Sequence, residues 1–113
     1  MRIINKTRNT ILAEEVFVAD NVFKRLCGLL GKKEFKKGKG LILKPCNCAH
    51  TFFMNFAIDI LFIDVENKVI ALQSNLKPWK VSPLYWGVKF ALELPAGVIA
   101  ESRTSKGDEI IFS

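Results

Sequence analysis

The fifteen residues His50–Asp64, HTFFMNFAIDILFID, constrain the fold of this chain more than any other stretch. If extended, the run puts Phe52, Met54, Phe56, Ile58, Ile60 and Phe62 on one face and Phe53, Asn55, Ala57, Asp59, Leu61 and Ile63 on the other, because successive strand side chains alternate. Its β-branched and aromatic residues suit a pleated sheet better than a helix. A strand usually has about 5–6 residues, so the run predicts two strands, or one broken near Asn55–Ala57. Ile60–Ile63 is apolar on both faces, the pattern of a central strand covered from both sides. The run also holds Asp59, Asp64 and the only histidine, His50. Any chemistry is therefore expected close to it.

The rest of the chain supplies partners for that ribbon. Its 113 residues predict one domain, 1–113. Half are hydrophobic and nine are Phe, which argues against disorder. Arg2–Ile4 and Thr10–Val18 read as a hairpin, with Glu14-Glu15 marking a bulge or a break between two short strands. Asp20 suits an N-cap and Gly31 a C′ position. Between them Val22, Phe23, Leu26, Cys27, Leu29 and Leu30 fall at helical spacing. Leu41–Leu43 is a short strand, and Lys68–Gln73 pairs with the central stretch across a Glu66-Asn67 turn. A long loop over Leu76–Gly87 holds both tryptophans and the only tyrosine. Val88–Leu94 is a strand ended by Pro95, Ala96-Gly97 opens a short helix or turn, and Glu109–Phe112 closes the chain. The expected fold is mainly β, bordering on α+β: a compact β-sandwich or barrel with one main helix at about 20–31.

Lys and Arg number 17 against 11 Asp and Glu, a net charge of +6. That is only a weak preference for acidic partners, too weak by itself to make nucleic acid the expected one. The first residues lack the apolar core of a signal peptide. No apolar run reaches the roughly 18 residues of a membrane span. These features lead us to expect a cytoplasmic protein with no membrane partner. Three cysteines form no disulfide framework and agree with a reducing compartment.

Several pieces together resemble a known family. They are Arg25-x-x-Gly28-Leu29-Leu30-Gly31, then His50-Thr51-x-x-Met54-x-x-x-Ile58-Asp59-x-x-Phe62-Ile63-Asp64, then Pro78-Trp79, Leu92-Glu93-Leu94-Pro95-Ala96-Gly97 and Gly107-Asp108. In this order they are similar to the bacterial and archaeal domain of unknown function 192. The resemblance implies a compact, mostly β fold of sandwich or barrel type with one main helix. It implies no reaction, cofactor or partner.

The residues themselves offer four kinds of chemistry. Cys46-x-Cys48-x-His50 could face one metal site from a strand, with Cys27 or Asp59 as a fourth ligand. However, same-face residues lie roughly 6.6–7 Å apart, too far for zinc bound about 2.3 Å from each sulfur. Two half-buried thiols and a hydrogen-bonded histidine are the plainer reading, and no cofactor is expected. His50 with Asp59, Asp64 or Glu93 could form an acid–base pair, or could be a structural histidine. Cys48 with His50 as nucleophile and base is weaker.

Asp59 stands among apolar residues. It must be paired, hydrogen-bonded or at a cleft, with Arg25 as a partner or the backbone as a clamp. Glu93 between two leucines poses the same question, unless it faces solvent. The basic loop Lys32–Lys39 with Phe35, together with Trp79, Tyr85 and Trp86, could bind nucleic acid, or could simply be solvated.

The reading these features favour is a small-ligand-binding or accessory module. Its site would be drawn from His50, Thr51, Met54, Asp59, Trp79, Trp86 and Arg25, near the 50–64 stretch and the 78–87 loop. A small hydrolase using His50 with Asp59 or Glu93 is the alternative, and a nucleic-acid binder using 32–39 is a third. Sequence leaves the oligomeric state open.

Overall fold

Thr10–Val18 does not run as one strand. It divides at Glu14 into β2 (Thr10–Ala13) and β3 (Glu15–Ala19), which serve different sheets. The structure is a computed structural model and describes residues 1–19, 35–44, 51 and 55–113. The expected helix at 20–31, with Arg25 and Cys27, lies outside the described residues, as do Cys46, Cys48, His50 and Met54.

β1 (Ile3–Asn5) is the middle of a three-stranded sheet, between β2 and the closing strand β8 (Ile110–Phe112). The second sheet has five strands. Its order is β3, β4 (Lys39–Leu43), β7 (Phe90–Pro95), β5 (Ile58–Ile63) and β6 (Val69–Leu76). β3 and β4 run parallel, and the other neighbours in this sheet run antiparallel. A short helix, α1 (Val98–Ser102), follows β7. The architecture is therefore mixed α+β with two sheets, and neither sheet closes into a barrel.

The expectation for Ile60–Ile63 holds. Every residue of β5 is buried, and the strand lies between β7 and β6. The β5–β6 hairpin runs further than Lys68–Gln73, to Leu76. Pro95 is the last residue of β7, opposite Ile58, instead of lying beyond the strand. A proline is tolerated at that terminal position because few ladder bonds remain to be donated.

The five-stranded sheet has two faces and two cores. On one face Ile42, Leu61, Leu92 and Leu94 pack with Ile3, Leu12, Ala13 and Ile110 of the smaller sheet and with Val98 and Ile99 of α1. Gly40 permits this close approach, since a Cβ there would fall 3.0 Å from that of Ala13. The opposite face gathers Leu41, Leu43, Ile58, Ile60, Phe62 and Ala91, with Phe35, Phe56, Tyr85 and Val88 packed against them. Polar groups on this second face have no smaller sheet above them, and one of them is a carboxylate.

Candidate functional site

The carboxylate belongs to Glu93. β7 is the central strand, and Glu93 is in register with Leu41 of β4 on one side and Ile60 of β5 on the other. Ile60 in turn is opposite Gln73 of β6. Pleating sends in-register neighbours to the same face, so Gln73, Ile60, Glu93 and Leu41 form one row across the sheet. The sequence allowed Glu93 to face solvent, but it is 3% exposed. Among the described residues its carboxyl group has no hydrogen-bond or ion-pair partner. Burial pushes its pKa up to about 8 from an ordinary 4.5, because removing water disfavours the charged form.

Gln73 extends the polar row. Its Nε2 donates to the Tyr85 hydroxyl at 2.7 Å. The Tyr85 ring packs on Phe62 with centroids 4.6 Å apart. Tyr85, not either tryptophan, is thus the aromatic of the long loop that turns inward. Trp79 and Trp86 are both exposed.

Thr51 fixes the start of that loop. Its N–H donates to the Lys80 carbonyl at 2.9 Å, and its carbonyl accepts from the Trp79 N–H at 3.0 Å. Its hydroxyl accepts from the Lys80 N–H at 2.9 Å and donates to the Lys77 carbonyl. Thr51 is fully buried and engaged in this clamp.

Asp59 resolves differently from Glu93. It is fully buried, and its carboxylate is held by backbone. Oδ1 accepts from the Asn75 N–H at 2.7 Å, and Oδ2 from the Gly97 and Ile99 N–H groups at 3.1 and 2.8 Å. Gly97 is the N-cap of α1 and has no side chain to offer. Asp59 supplies the missing acceptor from β5, satisfying amides that the first turn of a helix leaves unpaired. Asp64 is engaged in a turn, its Oδ1 accepting from the Glu66 and Lys68 N–H groups, each at 2.9 Å.

This arrangement of sheets recurs in known proteins. Residues 3–112 match the family model DUF192, described as uncharacterised. The chain belongs to this family. A UPF0127 protein of Thermococcus sibiricus is 34% identical over 112 residues, covering 96% of this chain and 72% of its own length. A UPF0127 protein of Pyrococcus horikoshii is 29% identical and covers 96% of each chain. Two crystal structures share the fold. One, of a Novosphingobium aromaticivorans protein of unknown function, has a TM-score of 0.83 at 16% identity and covers 98% of this chain and 82% of its own. The other, of a Sinorhizobium meliloti protein provisionally described as a transcription regulator, has a TM-score of 0.81 at 20% identity, with 97% and 89% covered.

This DUF192 protein has a second polar cluster, which the sequence barely signals. Asn5 is fully buried. Its Nδ2 donates to Thr104 Oγ1 and to Asp108 Oδ2, each at 2.9 Å. Asp108 Oδ2 also accepts from the Ser105 N–H at 2.9 Å and from Arg8 Nε at 3.2 Å. Burial alone would raise the Asp108 pKa, but the hydrogen bonds from Asn5, Ser105 and Arg8, together with the Arg8 charge, outweigh it and lower it below 3.8. The cluster ties β1 to the turn before β8. The hints in the sequence are an asparagine just after a short apolar strand and the Gly107-Asp108 pair of the family resemblance.

Among the described residues no group of three or more His, Cys, Asp or Glu could hold a metal ion. The basic loop is partly self-neutralised: Lys37 pairs with Glu101, and Lys39 Nζ lies 3.5 Å from Glu15. Of the acids singled out for catalysis, Asp59 and Asp64 hold backbone, and Glu93 alone keeps its carboxyl group without a partner among the described residues.

Proposed function

We propose that this protein is a small-ligand-binding module whose site is the Glu93 face of the five-stranded sheet. One observation carries the reading: a carboxyl group in the central strand is buried between Leu41 and Ile60 with no partner among the described residues. A buried acid without partners is costly, and such groups concentrate at sites that use them. At pH 7 the Glu93 carboxyl is largely protonated. It can donate one hydrogen bond and accept another, which matches an amide or a carbonyl with a neighbouring N–H, and to a carboxylate it can donate. Gln73 and Tyr85, both half-buried, would offer further polar contacts. His50, Met54 and Arg25 keep their place as proposed contributors. In the hydrolase version of this reading, Glu93 is the acid and His50 its partner, since Asp59 is occupied by backbone amides.

Carbon-13 labelling of glutamate side chains tests this directly. Glu93 is expected to titrate near pH 8, and its carboxyl resonance should shift saturably on adding acetamide or acetate. A midpoint near 4.5 with no response to either probe would overturn the reading.

A second reading, nucleic-acid binding, is favoured by the provisional description of the Sinorhizobium meliloti protein and by the net charge of +6. It requires an affinity for duplex DNA that falls steeply with salt. Anisotropy titrations at two salt concentrations decide it.

A further inference from the structure

The loop between β6 and β7 is built inside out. Its inward residues are small or polar: Ser82 is buried, and Tyr85 hydrogen-bonds Gln73 while its tilted ring packs on Phe62. Buried Thr51 clamps the segment at Lys77, Trp79 and Lys80. The bulky apolar residues point the other way. Trp79 is 58% exposed, Val81 55%, Leu84 56% and Trp86 82%. Trp79 even occupies left-handed backbone, φ 64°, where glycine or asparagine would be easier to place. Large apolar side chains exposed together in one short segment point to a contact site.

Charge identifies the occupant. From Asn67 to Leu92 the chain has four lysines and no Asp or Glu. Lys68 pairs with Glu109, whereas Lys77, Lys80 and Lys89 are exposed and have no ion-pair partner among the described residues. We propose that residues 77–89 dock on the surface of an anionic lipid bilayer. Tryptophan rings favour the headgroup level, aliphatic side chains insert below it, and lysines reach up to the phosphates. Single-stranded nucleic acid would use the flat rings but has no use for Val81 and Leu84. A second copy of the chain would set like-charged lysines against one another. The expectation of no membrane partner rests on the lack of a spanning segment. Among the described residues no helix is long and apolar enough to cross a membrane, and surface docking requires none. The docking surface does not depend on the Glu93 site.

The full chain is mixed with vesicles of phosphatidylcholine alone or with about one-third phosphatidylglycerol, anionic lipid being what attracts basic segments. Tryptophan emission should shift to the blue and the protein should float with the anionic vesicles, at least tenfold more tightly than with the neutral ones. Lys77→Gln, Lys80→Gln and Lys89→Gln together should weaken binding by about a hundredfold, roughly fivefold for each charge. Leu84→Ser with Trp86→Ser should abolish flotation while leaving the melting temperature unchanged. Absence of both emission shift and flotation would overturn the proposal. So would tryptophan quenching by oligothymidylate without any vesicle response, or self-association that the Leu84→Ser, Trp86→Ser variant abolishes.

Discussion

Asp59 and Glu93 sit on adjacent strands, one residue out of register, and point to opposite faces of the same sheet. Glu93 is opposite Ile60, whereas Asp59 is opposite Leu94. No single site can use both acids. The half of the protein that Asp59 serves is structural, because three backbone N–H groups converge on its carboxylate.

Replacing Asp59 should therefore destabilise the fold without altering the Glu93 face. Asp59→Ala strands one buried and two partly buried amides and is expected to cost about 2–4 kcal/mol, from roughly 1–3 per unsatisfied group with partial relaxation. Asp59→Asn keeps one acceptor oxygen and should cost about half as much. Urea denaturation measures both. Equal losses would mean that the amides of α1 find acceptors elsewhere.

Glu93 should show the opposite kind of behaviour, a pH-dependent cost. Its folded pKa of about 8 lies above the ordinary 4.5. Below pH 4.5 both states are protonated and the group costs little. Between the two values the unfolded chain has released its proton and the folded protein has not, so stability falls as pH rises. The fall should total up to about 5 kcal/mol, at 1.36 kcal/mol per pKa unit. Glu93→Gln removes the titration. The variant should match the wild type near pH 4 and exceed it at pH 8 in urea melts, while losing the acetate and acetamide responses. A pH-independent difference between the two proteins would contradict a raised pKa.

The same residues separate the legible parts of the fold from the illegible ones. Ile60–Ile63 announced a covered strand because all four residues are apolar, and burial on both faces is a local property. The Glu14 break could be marked but not interpreted. Pairing β2 with β1 and β3 with β4 in another sheet depends on segments far apart in the chain. Asp59 and Glu93 look alike in sequence, each an acid between apolar neighbours. They part only through register, which decides that one meets the amides of Gly97 and Ile99 and the other meets leucine and isoleucine. In sequence Tyr85 stands beside Trp86 with nothing to tell them apart. The packing on Phe62 and the hydrogen bond from Gln73 separate them.

The Asn5 cluster predicts the acid limit of stability. Asp108 has a folded pKa below 3.8, so its contribution is complete above that value and is lost as pH falls through the folded pKa. Asp108→Asn should flatten the acid limb of a stability profile measured between pH 2 and 5 and lower stability at neutral pH. Asn5→Ala leaves Asp108 and Thr104 short of a donor in a buried place and should cost about 2–3 kcal/mol. If Asn5→Ala is silent, water must be able to reach the cluster.

Thr51→Val tests whether the β6–β7 loop is held by the clamp or by its own packing. The substitution preserves shape and the two backbone bonds to Trp79 and Lys80, and removes only the hydroxyl that joins the Lys77 carbonyl to the Lys80 N–H. A partly buried carbonyl and a partly buried N–H then lose their partner, a loss of up to about 3 kcal/mol. Because Trp79 is exposed in either case, global melting underreports the change. Tryptic cleavage after Lys80 reports it locally, and should accelerate by one to two orders of magnitude if opening is the limiting step, about tenfold for each 1.4 kcal/mol. If cleavage is unchanged while the melting temperature falls, Thr51 stabilises the sheet and the loop holds its shape through Tyr85. Thr51→Ser, which restores the hydroxyl, should return cleavage close to the wild-type rate.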